Sequence, residues 1–122
     1  MLNNLNEIRE RYLQDSLPKR LGALAADLAR VVSFAKNPNN KDGVGTLFEE
    51  SKWFIEWTAL DTQPEHIEAL IQLQLTLAIW HLKWDSSYTD LEKVTKIREQ
   101  ASLWSDRVLA MSGIMDGGSN KN

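Results

Sequence analysis

Apolar residues recur at helical spacing near both ends of the chain. In the first series they follow one another at intervals of four and three residues: Leu17, Leu21, Leu24, Leu28, Val31 and Ala35. The second series repeats those intervals: Val94, Ile97, Ala101, Trp104, Val108, Met111 and Met115. Such spacing places the side chains of each series on one stripe of an α-helix. The two series therefore predict helices over residues 18–36 and 89–115.

Two middle segments are apolar around most of the helical circumference. In residues 46–60 the polar strip is narrow: Glu49, Lys52 and Glu56. In residues 63–84 it is similarly narrow: Glu68, Gln72, Thr76 and Lys83. A helix with so little polar surface is typical of a position enclosed by its neighbours. We therefore predict two enclosed helices over residues 46–60 and 63–84.

Local signals mark where the last three helices should begin. A threonine is followed three residues later by a glutamate in three places: Thr46 and Glu49, Thr62 and Glu65, Thr89 and Glu92. This pair is the capping box, which binds unpaired backbone N–H groups at a helix start. The stretch "NPNNKDGVG", residues 37–45, is rich in residues that favour turns. It is expected to be an exposed, mobile loop.

The remaining breaks are short, and short connections favour antiparallel neighbours. The fold class predicted is all-α: an antiparallel up-and-down four-helix bundle over residues 18–115, with an additional short N-terminal amphipathic helix. That arm, residues 1–17, has an apolar face out of phase with the next stripe, and Pro18 explains the shift because proline interrupts a helix. The arm is either a fifth helix on the bundle or a handle for a second copy. Residues 116–122 are expected to be a disordered tail.

Composition narrows the class of protein. A length of 122 residues with 43% hydrophobic and 25% charged residues suits one compact domain. The chain has no cysteine, which suits a reducing compartment and makes a cytoplasmic location the expectation. Its net charge of -3 disfavours nucleic acid as a partner. No apolar run reaches the ~20 residues that span a bilayer, so no membrane association is expected.

The stretch "LAIWHLKWD", residues 77–85, concentrates the side chains that could form a site. Trp80 and Trp84 flank His81, Gln74 lies seven residues earlier on nearly the same helical line, and Asp85 follows His81 by four residues. We expect Gln74, His81 and Asp85 to form an inward polar line, with Asp85 favouring the charged imidazole. A line of this kind must find partners, which the preceding helix could supply from Glu50, Ser51 and Thr58. It could fix the helix register or, with both tryptophans, line a ligand pocket.

Recognisable catalytic and metal-binding spacings are missing from the sequence. A di-iron bundle needs Glu-x-x-His on two helices, whereas His66 directly follows Glu65 and Ala78 lies three residues before His81. No strand-turn-helix elbow frames a serine, and no glycine-rich phosphate loop is present. We therefore expect no catalytic, cofactor-binding or metal-binding residues, no cofactor and no enzymatic activity.

Three stretches carry a resemblance: "SLPKRLGALAADLARVVSFAKNP", "LFEESKWFIEWTA" and "LQLTLAIWHLKW". They resemble a group of small, uncharacterised, all-helical cyanobacterial proteins, over residues 12–115. The resemblance implies a bacterial cytoplasmic protein and brings no activity or site with it.

Two functions of different classes are consistent with these patterns. The first is a protein–protein interaction or self-associating structural module, with a homodimer as the expected form. The second is a binder of a small ligand or cofactor, with a pocket at the loop-closed end of the bundle. Its candidate ligand-binding residues are Trp80, His81, Trp84, Asp85 and Gln74.

Overall fold

The computed structural model describes residues 4–113, which form five α-helices and two short 3₁₀ turns. The helices are α1 (Leu5–Gln14), α2 (Leu17–Phe34), α3 (Lys41–Thr58), α4 (Pro64–Ser87) and α5 (Leu91–Ser112). The 3₁₀ turns are Pro38–Asn40 and Ala59–Asp61. No strand occurs within this part of the chain, so the all-α prediction is confirmed.

The capping boxes are wrong at all three predicted helix starts. Thr46 lies inside α3, five residues after its beginning at Lys41. The residue before α4 is Gln63, which makes no side-chain cap, and the Thr62 hydroxyl instead donates to the carbonyl of Ala59 at 2.6 Å. At α5 the cap is Asp90, whose carboxylate accepts from the N–H of Lys93. The spacing of a threonine and a glutamate therefore does not by itself determine which residue is the N-cap of a helix.

The predicted loop over residues 37–45 is confirmed only over residues 37–40, because helix α3 begins at Lys41. Asn37 caps the Pro38–Asn40 turn by accepting from the N–H of Asn39, and α3 begins directly afterwards. Val44 is fully buried, and the indole of Trp84 donates to the carbonyl of Lys41 at 2.9 Å. These tertiary contacts outweigh the low helix propensity of glycine in this turn.

Helix α2 is the centre of the packing. It makes its most extensive contacts with α5 and α3, α3 packs on α4, and α4 meets α5 at only a few positions. The largest side chains that lie almost fully buried are Phe48, Leu21, Leu24, Leu28, Ile55, Leu70, Leu73 and Leu77. Two side chains of α5 fasten it to the backbone of α2, since Arg98 donates to the carbonyl of Val32 and Ser105 to that of Ala25.

The N-terminal arm packs on the bundle of its own chain. Tyr12 of α1 is buried, and its hydroxyl donates to the carbonyl of Arg20 at 2.8 Å and accepts from Thr58 at 3.1 Å. Of the two interpretations of the arm, the structure supports the fifth helix. Residues 1–3 of the predicted arm lie outside the described residues.

Helix α5 ends at Ser112, three residues before the predicted boundary at 115. Gly113 adopts a left-handed conformation with φ of 74°, a common way for a helix to end. The predicted disordered tail, residues 116–122, lies outside the described residues. Among residues 4–113, no helix is both long and apolar enough to cross a membrane.

Candidate functional site

The five residues singled out from the sequence are distributed over different environments. Trp84 is 4% exposed and packs its edge on Phe48, with the ring centroids 5.4 Å apart. Trp80 is half-buried against another side of Phe48, at 5.9 Å. Both tryptophans therefore fill the core around one phenylalanine, and the Trp84 indole N–H is already bonded to the backbone of α3.

The polar line predicted along α4 forms only in part. The side chain of Asp85 is 89% exposed and pairs with the ammonium of Lys41 at 3.1 Å. Gln74 turns to α3, where its amide nitrogen donates to the carbonyl of Lys52 and to the carboxylate of Glu56, both at 3.1 Å. His81 is half-buried at the edge of the core. Gln74 and His81 both contact Lys52 of α3, whereas Asp85 pairs with Lys41 at the start of that helix. The core stripe of α4 follows Leu70, Leu73 and Leu77.

His81 contacts a lysine of α3. Its Nδ1 lies 3.2 Å from the Nζ of Lys52, so the ammonium donates and the imidazole nitrogen accepts. Burial lowers the pKa of His81, and the Lys52 charge lowers it further, while Glu49 and Asp85 act in the opposite direction. Asp85 therefore favours the charged imidazole, as expected, but burial and the Lys52 charge outweigh it, so the pKa of His81 lies below its ordinary value.

The five residues line several depressions of the surface. A groove of about 540 Å³ between α3 and α4 includes Gln74 together with Trp53 and Leu75. A polar depression of about 400 Å³ at the start of α3 includes His81, Trp84 and Asp85. Trp80 lines a cleft of about 230 Å³ between α4 and α5. The structure thus brings His81, Trp84 and Asp85 together in one depression and places Gln74 and Trp80 in two others.

The outer face of α4 carries an apolar row that the sequence analysis missed. Three large side chains on it are mostly exposed: Ile71 at 53%, Leu75 at 64% and Leu82 at 82%. With the half-buried Ala78 they are spaced by four, three and four residues, which is the seam spacing of paired helices. The prediction that this helix is enclosed is therefore wrong, since α4 packs one side on α3 and leaves this seam uncovered.

A pair of acids lies between α2 and α3. Asp27 is 2% exposed, and its Oδ1 accepts from the guanidinium of Arg30 at 2.8 Å. Burial raises the pKa of Asp27, and the carboxyl of Glu50 raises it further, whereas Arg30 acts in the opposite direction. Oδ2 of Asp27 has no hydrogen-bond donor among the described residues. If Oδ2 retains a proton, its O–H can itself donate a hydrogen bond to the carboxylate of Glu50.

Ser51 and Thr58, which the sequence suggested as possible partners of the polar line on α4, form no hydrogen bond with it. Thr58 bonds to Tyr12, and Ser51 is fully buried with no hydrogen-bond partner for its hydroxyl in the described part of the chain. In the sequence, Asp27 is a single acidic residue among the apolar residues of its helix, and this pattern predicts no special role for it. Only the register between α2 and α3 reveals that it meets Glu50.

No group of three or more histidine, cysteine or acidic side chains suited to a metal ion occurs within residues 4–113. Comparison with known proteins finds no matching family model, no matching curated protein and no matching solved structure. The exposed seam of α4 is the surface feature that most requires an explanation, because apolar area left in water is unfavourable.

Proposed function

We propose that this protein is a non-enzymatic interaction module that pairs with a second copy of itself through the seam of α4. The observation that carries the proposal is the row Ile71, Leu75 and Leu82, whose side chains are 53%, 64% and 82% exposed on one helix face. Scattered apolar residues on a surface are normal, but an ordered row at coiled-coil spacing is typical of a helix–helix contact.

The charge pattern of α4 favours a second copy as the partner. Between Glu68 and Lys83 the helix has fourteen consecutive positions, 69–82, without an acidic or basic residue other than His81. In a contact between two identical surfaces, each charge near the twofold axis meets its own kind and is repelled. A surface that pairs with itself is therefore favoured when its centre is free of charge, and this stretch of α4 meets that condition. The charged side chains of the surface, Glu49, Lys52 and Glu56, lie on α3 along one side of the seam.

The order of side chains along the seam is also compatible with antiparallel self-pairing. A twofold axis between residues 76 and 77 would set Ile71 of one copy opposite Leu82 of the other. It would also set Leu75 opposite Ala78, so that a large side chain meets a small one and the two seams can interdigitate. Ile71, Leu75 and Ala78 of the seam also line the groove between α3 and α4, together with Trp53, and this groove leaves space for the larger side chains of the second copy.

The length of the seam predicts a reversible dimer. From Ile71 to Leu82 the helix rises by about 16 Å. One pair of crossing helices of this length buries less than the ~800 Å² per partner of a standard interface. The dimer should therefore dissociate on dilution.

Sedimentation velocity tests the proposal, with Leu75→Glu as the disrupting variant and Leu103→Glu as its control. Leu103 lies on α5 and is 63% exposed, so it matches Leu75 in residue type and exposure outside the seam. We expect the wild type and Leu103→Glu to form dimers as protein concentration rises from micromolar to millimolar, and Leu75→Glu to stay monomeric with an unchanged circular dichroism spectrum. A wild type that is monomeric throughout, or equal effects of the two substitutions, would contradict the proposal.

We further infer that α2 to α5 run alternately up and down as a four-helix bundle. The connections support this arrangement, because residues 59–63 and 88–90 are too few to return the chain to the opposite end. The lack of cysteine supports a cytoplasmic location for the dimer, and the net charge of -3 supports a protein rather than a nucleic acid as partner.

A further inference from the structure

The cleft between α4 and α5 combines an apolar floor with a basic rim. It has a volume of about 230 Å³. Its floor is formed by apolar side chains: Ile79, Trp80 and Ile97. Its rim is formed by lysines: Lys83, Lys93 and Lys96. The remaining lining residue, Ser87, donates its hydroxyl to the carbonyl of Lys83 at 2.8 Å, so its proton is already used inside α4.

The three ammonium groups have no ion-pair partner in the described part of the chain. No acidic residue lines the cleft. Lys93 and Lys96 also belong to the first two turns of α5, where the helix dipole is unfavourable to cations. The local excess of positive charge should therefore attract an anion.

The floor restricts what kind of anion fits. Trp80 packs one part of its ring on Phe48 at 5.9 Å, and the rest of its surface, together with Ile79 and Ile97, lines the cleft. A fully hydrated inorganic anion would leave these apolar surfaces in contact with water. An anion with an apolar body can cover them and place its charge among the lysines.

We propose that this cleft binds a small aromatic carboxylate, with the ring against Trp80 and the carboxylate between Lys83, Lys93 and Lys96. The volume is below the ~300–1,000 Å³ typical of pockets for drug-sized ligands, so one ring or two fused rings is the size that fits. The site is separate from the seam of α4, because Ile71, Leu75 and Leu82 do not line it. Its occupation and the pairing of two copies are therefore independent.

Titration with 2-naphthoate, followed by the NMR signal of the Trp80 indole N–H, tests this proposal. The signal is assigned from its loss in Trp80→Phe. The disrupting variant is Lys93→Gln with Lys96→Gln, and the control is Lys19→Gln with Lys36→Gln, which removes the same charge from exposed positions outside the cleft. We expect saturable shifts at Trp80, affinity weaker by about tenfold in the first double variant, and affinity within about twofold of the wild type in the control.

The neutral analogue 2-naphthamide separates charge recognition from simple adsorption. It has the same ring system and should bind at least about tenfold more weakly, since it cannot use the lysines. Equal binding of the two compounds, equal losses in both double variants, or shifts confined to Trp53 beside the seam would each overturn the proposal. Repeating the titration in Leu75→Glu keeps the outcome distinguishable from a failure of self-association, because that substitution leaves the cleft intact.

Discussion

The ring of Tyr12 lies parallel to the ring of Phe54, with their centroids 4.0 Å apart and their planes 6° from parallel. This contact joins α1 to α3, and the tyrosine hydroxyl adds hydrogen bonds to α2 and to the end of α3. Burial raises the pKa of Tyr12 above its usual value, so the phenol remains a hydrogen-bond donor at any physiological pH. One residue thereby fixes the position of the N-terminal helix.

Substitutions of Tyr12 should show that α1 belongs to the cooperative unit. Tyr12→Phe keeps the stacking but loses both hydrogen bonds and should lower the free energy of unfolding by about 1–2 kcal/mol. Tyr12→Ala also removes the ring and should cost about 3–5 kcal/mol. Urea denaturation followed by circular dichroism measures both. Leu13→Ala, a neighbouring position that is 36% exposed, should cost less than about 1 kcal/mol, and an equal cost at both positions would contradict this role.

The acid pair of Asp27 and Glu50 should make stability depend on pH. Burial and Glu50 raise the pKa of Asp27 in the folded state above its ordinary value of 3.8. Between these two pKa values the folded protein holds a proton that the unfolded chain releases, so stability falls as pH rises through this window. Each unit of pKa difference corresponds to about 1.4 kcal/mol.

Asp27→Asn removes this titration and should flatten the pH dependence. We expect the wild type to lose on the order of 1–2 kcal/mol between weakly acidic and weakly basic pH, and the variant to lose clearly less. Urea denaturation across that range measures the difference. Asp106→Asn is the control, because Asp106 is an exposed acid on α5 and its substitution should leave the slope unchanged. A variant with the same slope as the wild type would show that Asp27 does not hold the proton.

The contact between Lys52 and His81 should be visible in the titration of the imidazole. Because burial and the lysine charge both lower the pKa of His81, its NMR titration midpoint should lie below 6.5. Lys52→Met removes one of these causes and should move the midpoint upwards. The unfolded chain takes up the proton first as pH falls, so the stability that this group contributes above pH 6.5 is lost on acidification. His66→Gln assigns the signal, and an unchanged midpoint in Lys52→Met would contradict the assignment of Lys52 as a cause.

Helix content was predictable because apolar periodicity reports directly on which side of a helix is buried. The stripes that contain Leu24 on α2 and Val108 on α5 lie in the core, where both residues are almost fully buried. Helix starts were less predictable. Local capping competes with tertiary contacts, and Val44 shows the result, since burial of this residue extends α3 through a stretch whose composition favours a turn.

The face of α4 could not be assigned from the sequence for a related reason. A helix that is apolar on all sides is compatible with complete enclosure and with a second, exposed contact surface. Only the three-dimensional structure distinguishes Leu73, which is fully buried, from Leu75, which is 64% exposed. The same limit applies to His81, because its partner Lys52 lies on another helix 29 positions earlier in the chain and no local spacing reveals it.

Two glycines in helical surroundings lead to opposite predictions for alanine. Gly43 lies in the first turn of α3, and a Cβ built there meets no atom within 4 Å. Gly43→Ala should therefore raise the free energy of unfolding by about 0.5–1 kcal/mol, because alanine has the better helix propensity and restricts the unfolded chain. Gly113 has φ of 74°, a conformation that costs an alanine about 1–2 kcal/mol. Gly113→Ala should therefore destabilise the protein although it too has open space around its Cβ. Urea denaturation of the two single variants measures both signs, and a destabilising Gly43→Ala would show that residues 41–45 are not helical in solution.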